Sequence, residues 1–150
     1  MSNILYMAGA MSFEEKSSWI MMVIGPVTLV AYLMTVLGRL DGAGAVGDVA
    51  YEAPLVTAIV VAIVASIVAR VVAAIASPQD ADRRDERDAV IDRRGYYFAS
   101  FVLGIGALGA MSLALMRYEH FWIANTIYVS LVLTEVTAQL IKVVGYRRGY

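Results

Sequence analysis

Four apolar stretches, at residues 19–37, 54–76, 96–116 and 121–144, constrain this chain more than any other feature. Each is long enough to cross about 30 Å of hydrocarbon at about 1.5 Å per helical residue. The second is nearly all Val, Ile and Ala, residues that could suggest strands. In lipid, however, only helices and closed barrels satisfy the backbone's own hydrogen bonds. Barrel strands alternate apolar and polar positions, and these runs do not. The expectation is an all-α integral membrane four-helix bundle, a single domain over residues 1–150.

Composition agrees. The chain is 60% hydrophobic and 17% charged, where a soluble domain has roughly 45–50% and about 25%. A soluble domain of this size cannot hide that much apolar surface. The net charge of −1 leaves no nucleic-acid footprint. Cysteine is absent, so disulfides and thiolate metal sites are excluded. Glu14, Glu15 and Lys16 precede the first apolar run, which is too long and too acidic in its flank for a cleaved secretory signal. Met11 is an alternative start.

Lys and Arg set the orientation. Lys16, Arg70, Arg83, Arg84, Arg87, Arg93, Arg94, Lys142, Arg147 and Arg148 fall on one side, and only Arg39 and Arg117 on the other. Both termini and the 77–95 segment are therefore expected in the cytoplasm, in a protein of the cytoplasmic (plasma) membrane. The Gly-rich, acidic 39–53 loop is expected outside. The short turn at Tyr118 makes the third and fourth spans an antiparallel hairpin. Ser77-Pro78 reads as a helix start. The following segment, with arginines and acids interleaved at i,i+4 spacing, reads as a charged cytoplasmic helix over about 79–95 that leads into the third span.

Within the spans, Glu135 stands out, since a carboxylate at that depth must be paired, protonated or wetted. Tyr128, Glu135, Gln139 and Lys142 share one helical face, with Asn125 near its edge. That stripe suits a proton, ion or substrate path. It equally suits interhelical hydrogen bonding, with Lys142 reaching the inner surface. Arg70 lies at a depth matching Glu135, so the two are expected either to pair or to leave Arg70 reaching for headgroups. Gly25-Pro26 should kink the first span. Ser100-xxx-Gly104 and Gly106-xxx-Ala110 are small-residue pairs fit for close helix contact, within the bundle or in a homo-oligomer.

Asp85, Asp88 and Asp92 share a face that could hold Mg²⁺ with phosphate, but neighbouring arginines can satisfy them locally. His120 sits among Tyr118, Phe121 and Trp122, as interfacial belt residues do. Nucleophile-elbow, zincin, P-loop and dinucleotide motifs are absent from the sequence. No metal site, cofactor or catalytic residue is expected.

FEEKSSWI, DERDAVIDRRGYY and HFWIANTIY with a YRRGY ending resemble a family of small four-span bacterial membrane proteins, common in actinobacteria and similar to the DUF2178 group. The core of the likeness is Asp85, Glu86, Arg87, Asp88, Ile91, Arg93 and Arg94. The resemblance implies a membrane protein, often encoded near small helix-turn-helix regulators, and assigns no catalytic residue.

The expected function is that of a non-enzymatic accessory or regulatory membrane subunit. It would act through its charged helix, with Asp85, Glu86, Arg87, Asp88, Arg93 and Arg94 meeting a partner. The expected partners are membrane lipid and either a second copy or a membrane or cytoplasmic protein, and no nucleic acid. The alternative is a small oligomeric transporter or channel using Arg70, Tyr128, Glu135, Gln139 and Lys142. A lipid-modifying enzyme built on Asp85, Asp88 and Asp92 is a third class.

Overall fold

The structure, a computed structural model, describes residues 13–40, 48–76 and 86–148. They form α1 (Phe13–Leu40), α2 (Glu52–Ala76), α3 (Glu86–Leu115) and α4 (His120–Arg148). All four are long and apolar enough to cross a membrane. The chain is thus an all-α four-helix membrane protein. Each helix covers its expected span, except that α3 stops at Leu115, one residue short of the expected end, and α1 and α4 continue into polar flanks. From Glu86 the charged segment is continuous with the third span, as expected. The proposed helix start at Ser77-Pro78, the part of the expected charged helix up to Asp85 and the candidate start at Met11 lie outside the described residues.

Helix neighbours follow the order α2–α1–α4–α3. α3 packs along α4, α4 along α1, and α1 along α2, while α2 and α3 make no comparable contact. α4 is therefore the most enclosed helix and α2 the least: 39% of the most apolar window is buried in α4 and 6% in α2.

The α3–α4 hairpin is closed by a tight turn. Tyr118 N–H reaches the Leu113 carbonyl and Arg117 N–H the Ala114 carbonyl, both at 3.0 Å. This is the Schellman arrangement, and it needs a left-handed residue at the position held by Arg117, whose φ is 59°. Along the seam, small residues let the two backbones approach. A Cβ at Gly95 would lie 2.9 Å from the Ala138 carbonyl oxygen, and one at Gly106 would overlap the Ser130 side chain. Gly104 faces open space, so only the second of the two small-residue pairs serves this seam.

At the hairpin-turn end, Tyr32 and Val36 of α1 meet Phe121, Tyr128 and Val132 of α4 in one buried cluster. Val49 and Tyr51, from the segment before α2, tuck into it. The Tyr51 ring stands edge-on to Phe121 at 5.1 Å. Pro26 withholds an N–H inside α1. Nearby, the Thr28 hydroxyl donates to the Gly25 carbonyl at 2.9 Å and also reaches the Ile24 carbonyl. Ser130 and Thr134 likewise donate to carbonyls of their own helix, which satisfies their hydroxyls without water.

Candidate functional site

The polar stripe of α4 is real, and the structure divides it between α1, α3 and α4 itself. Near the hairpin turn, the Tyr32 hydroxyl donates to Asn125 Oδ1 at 2.8 Å, and Asn125 Nδ2 donates to the Phe121 carbonyl. The Tyr32 and Tyr128 rings meet edge to face at 5.4 Å. The Tyr128 hydroxyl is buried and has no hydrogen-bond partner. Midway along, Gln139 Nε2 donates to Glu135 Oε1 at 2.6 Å, which gives the carboxylate a partner one turn away on its own helix.

At the arginine-rich end, Lys142 is buried against α3. Its ammonium lies 2.5 Å from Asp92 Oδ1 and 3.9 Å from the centre of the Tyr96 ring. Lys142 therefore does not reach along the helix to the surface, as one expectation had it. A carboxylate and an aromatic face from the neighbouring helix replace its hydration. This pairing could have been read from the hairpin: Asp92 lies 26 residues before Tyr118 and Lys142 24 residues after it. Asp92 is thereby withdrawn from the acidic face considered for Mg²⁺, and Asp85 lies outside the described residues. Among the described residues no cluster of His, Cys, Asp or Glu could hold a metal ion.

Arg70 and Glu135 do come to one place. Both line a cavity of about 460 Å³ between α1, α2 and α4, with Thr28, Ser66 and Tyr128 further along its wall. The match in depth holds, but of the two arrangements expected for Arg70 the ion pair is not the one that forms. Glu135 is bonded to Gln139, and Arg70 is exposed and joins no ion pair among the described residues. The cavity wall is otherwise dominated by Ile, Val, Leu and Met side chains. Gly25, read as part of a kink, lies on the same wall and lets Val132 approach to 3.4 Å from where its Cβ would be.

The charged start of α3 presents Glu86, Arg87, Arg93 and Arg94 on its exposed side, with Asp88 half-buried. It is fixed to the end of α4 by the Asp92–Lys142 pair and by Ile91, which packs where a Cβ on Gly145 would stand. The end of α4 is also tied to the start of α1. Arg147 lies 3.7 Å from Glu15 and over the Trp19 ring. His120 opens α4, exposed at the opposite end.

No family model, curated protein or solved structure matches the chain.

Proposed function

We propose that this protein is a small, non-enzymatic accessory or regulatory subunit of the cytoplasmic membrane, with both termini in the cytoplasm, acting through the charged start of α3. The observation that carries this reading is the lock between α3 and α4. Asp92–Lys142 and Ile91–Gly145 hold the first turns of α3 as a stiff extension of a membrane helix. Glu86, Arg87, Arg93 and Arg94 then form a preorganised charged surface, which lowers the ordering cost of docking a partner. The excess of Lys and Arg at this end supports its cytoplasmic placement. The rest of the α4 stripe supports the same view, because Asn125, Gln139 and Lys142 are engaged within the protein.

The test is a photo-crosslinking residue placed at Arg87 in native membranes. The expected product is one discrete adduct with a second protein, lost in Arg93→Glu. Adducts to lipid alone, or to another copy alone, would reject the accessory role.

A second reading rests on the α1–α2–α4 cavity. A carboxylate and a guanidinium that share an apolar cavity without pairing could serve an oligomeric transporter or channel. Proton flux into dye-loaded proteoliposomes, abolished by Glu135→Gln, is its expected signature. Absence of flux in the wild type, or flux unchanged by the substitution, would remove it.

A further inference from the structure

A second cavity lies at the arginine-rich end, on the flank of the α3–α4 seam away from Asp92. Its volume is about 270 Å³. Val90, Arg94 and Phe98 line it from α3, and Ile141, Val144 and Arg148 from α4. On α3 these positions recur every four residues, so they form a single stripe beside the Ile91–Gly95–Ala99 seam. Among the described residues, α1 and α2 contribute nothing to the wall and no acidic residue lines it. Both arginines are exposed.

The cavity lies where the helices leave the apolar layer. Arg94 sits just before the third apolar run, Arg148 just after the fourth, and Tyr96 and Tyr97 are placed as interfacial aromatics. A guanidinium presents paired donors that match phosphate oxygens. Guanidiniums from two helices above an apolar floor are complementary to a group that is anionic at one end and hydrocarbon at the other. A basic pocket between membrane helices at such a level is suited to an anionic headgroup.

We infer that this cavity binds one anionic membrane phospholipid. Its phosphate lies between Arg94 and Arg148, and the first part of an acyl chain lies on Phe98, Ile141 and Val144. The cavity is too small for a whole lipid, so the rest of the chain stays in the bilayer. The inference requires only that the four helices span a membrane. It is independent of their orientation and of the accessory-subunit reading.

The test is native mass spectrometry of the full-length protein in mild detergent, given equal amounts of phosphatidylglycerol and phosphatidylcholine with identical acyl chains. The wild type should retain a single phosphatidylglycerol with a preference of roughly thirtyfold, the scale expected for two arginines near an anionic headgroup. Arg94→Gln with Arg148→Gln should bring that preference below about twofold. Val144→Trp, which fills the cavity and keeps both charges, should do the same. Arg39→Gln, at the other end of the bundle, should leave the preference intact. Arg148→Gln alone, in the last turn of α4, serves as the mildest variant if another does not fold, and should lower the preference. Soluble glycerophosphate should not displace the bound lipid. Equal retention of the two lipids by the wild type would overturn the inference. So would full preference in Val144→Trp, which would mark diffuse surface charge, or displacement by glycerophosphate at equal concentration.

Discussion

The ammonium of Lys142 lies 2.5 Å from Asp92 Oδ1, and the two ends of this pair are unequally shielded: the Lys142 side chain is 5% exposed and that of Asp92 34%. Removing the carboxylate leaves a cation enclosed between two helices. Removing the lysine leaves a carboxylate that still reaches the surface. Asp92→Asn should therefore destabilise by about 3 kcal/mol, and Lys142→Met by about 1 kcal/mol or less. Thermal unfolding of the two variants in one detergent, followed by circular dichroism, measures the difference. Equal losses would contradict the assigned asymmetry.

Gly106 and Gly104 are two residues apart and should respond in opposite ways to a methyl group. At Gly106 the new Cβ meets the Ser130 side chain, and at Gly104 it meets nothing within 4 Å. Gly106→Ala should cost about 1–3 kcal/mol through overpacking of the α3–α4 seam. Gly104→Ala should be neutral or slightly stabilising, since alanine is the better helix former. Melting of the single variants under identical conditions decides this.

The Tyr32–Asn125 hydrogen bond is the polar tie between α1 and α4 at the hairpin-turn end. Such ties inside membranes are worth about 1 kcal/mol. A double-mutant cycle of Tyr32→Phe and Asn125→Leu should give a coupling energy of that size. A coupling near zero would show that the aromatic contact between Tyr32 and Tyr128 holds this seam without the hydroxyl.

Arg117 occupies the left-handed corner of the α3–α4 turn with a φ of 59°. A side chain in that conformation costs about 1 kcal/mol relative to glycine. Arg117→Gly should raise the unfolding temperature, whereas Arg117→Ala should not. A gain from both would assign the effect to charge rather than backbone.

Helix number, type and approximate bounds were legible because a bilayer admits few backbone solutions, and long apolar runs name the helix among them. The neighbour order α2–α1–α4–α3 was not legible. Between its ends α2 carries only Thr57, Ser66 and Arg70 as polar side chains, too few for its sequence to say which helix it packs along. The pair Ser100 and Gly104 looks as suited to a seam as Gly106 and Ala110, and only the docking of α4 separates them. The polar stripe of α4 was visible from spacing, but not its partners. Asn125 takes Tyr32 and Lys142 takes Asp92, each from a different helix. The sequence loop before α2 read as an outer connector, yet Val49 and Tyr51 are part of the core, because a tyrosine ring adjacent to a membrane surface gains by leaving water.

The helix order has a consequence for how the molecule is made. α1 contacts α2, its neighbour in sequence, but its other long contact is with α4, the last of the four to be synthesised. Contacts between sequence neighbours thus divide the fold into two hairpins, α1–α2 and α3–α4, joined mainly through the α1–α4 seam among the described residues. Until the second hairpin arrives, Tyr32 waits in the membrane without Asn125. The α1–α4 seam is the one long contact that joins the two hairpins, so weakening it is expected to separate them before either hairpin opens.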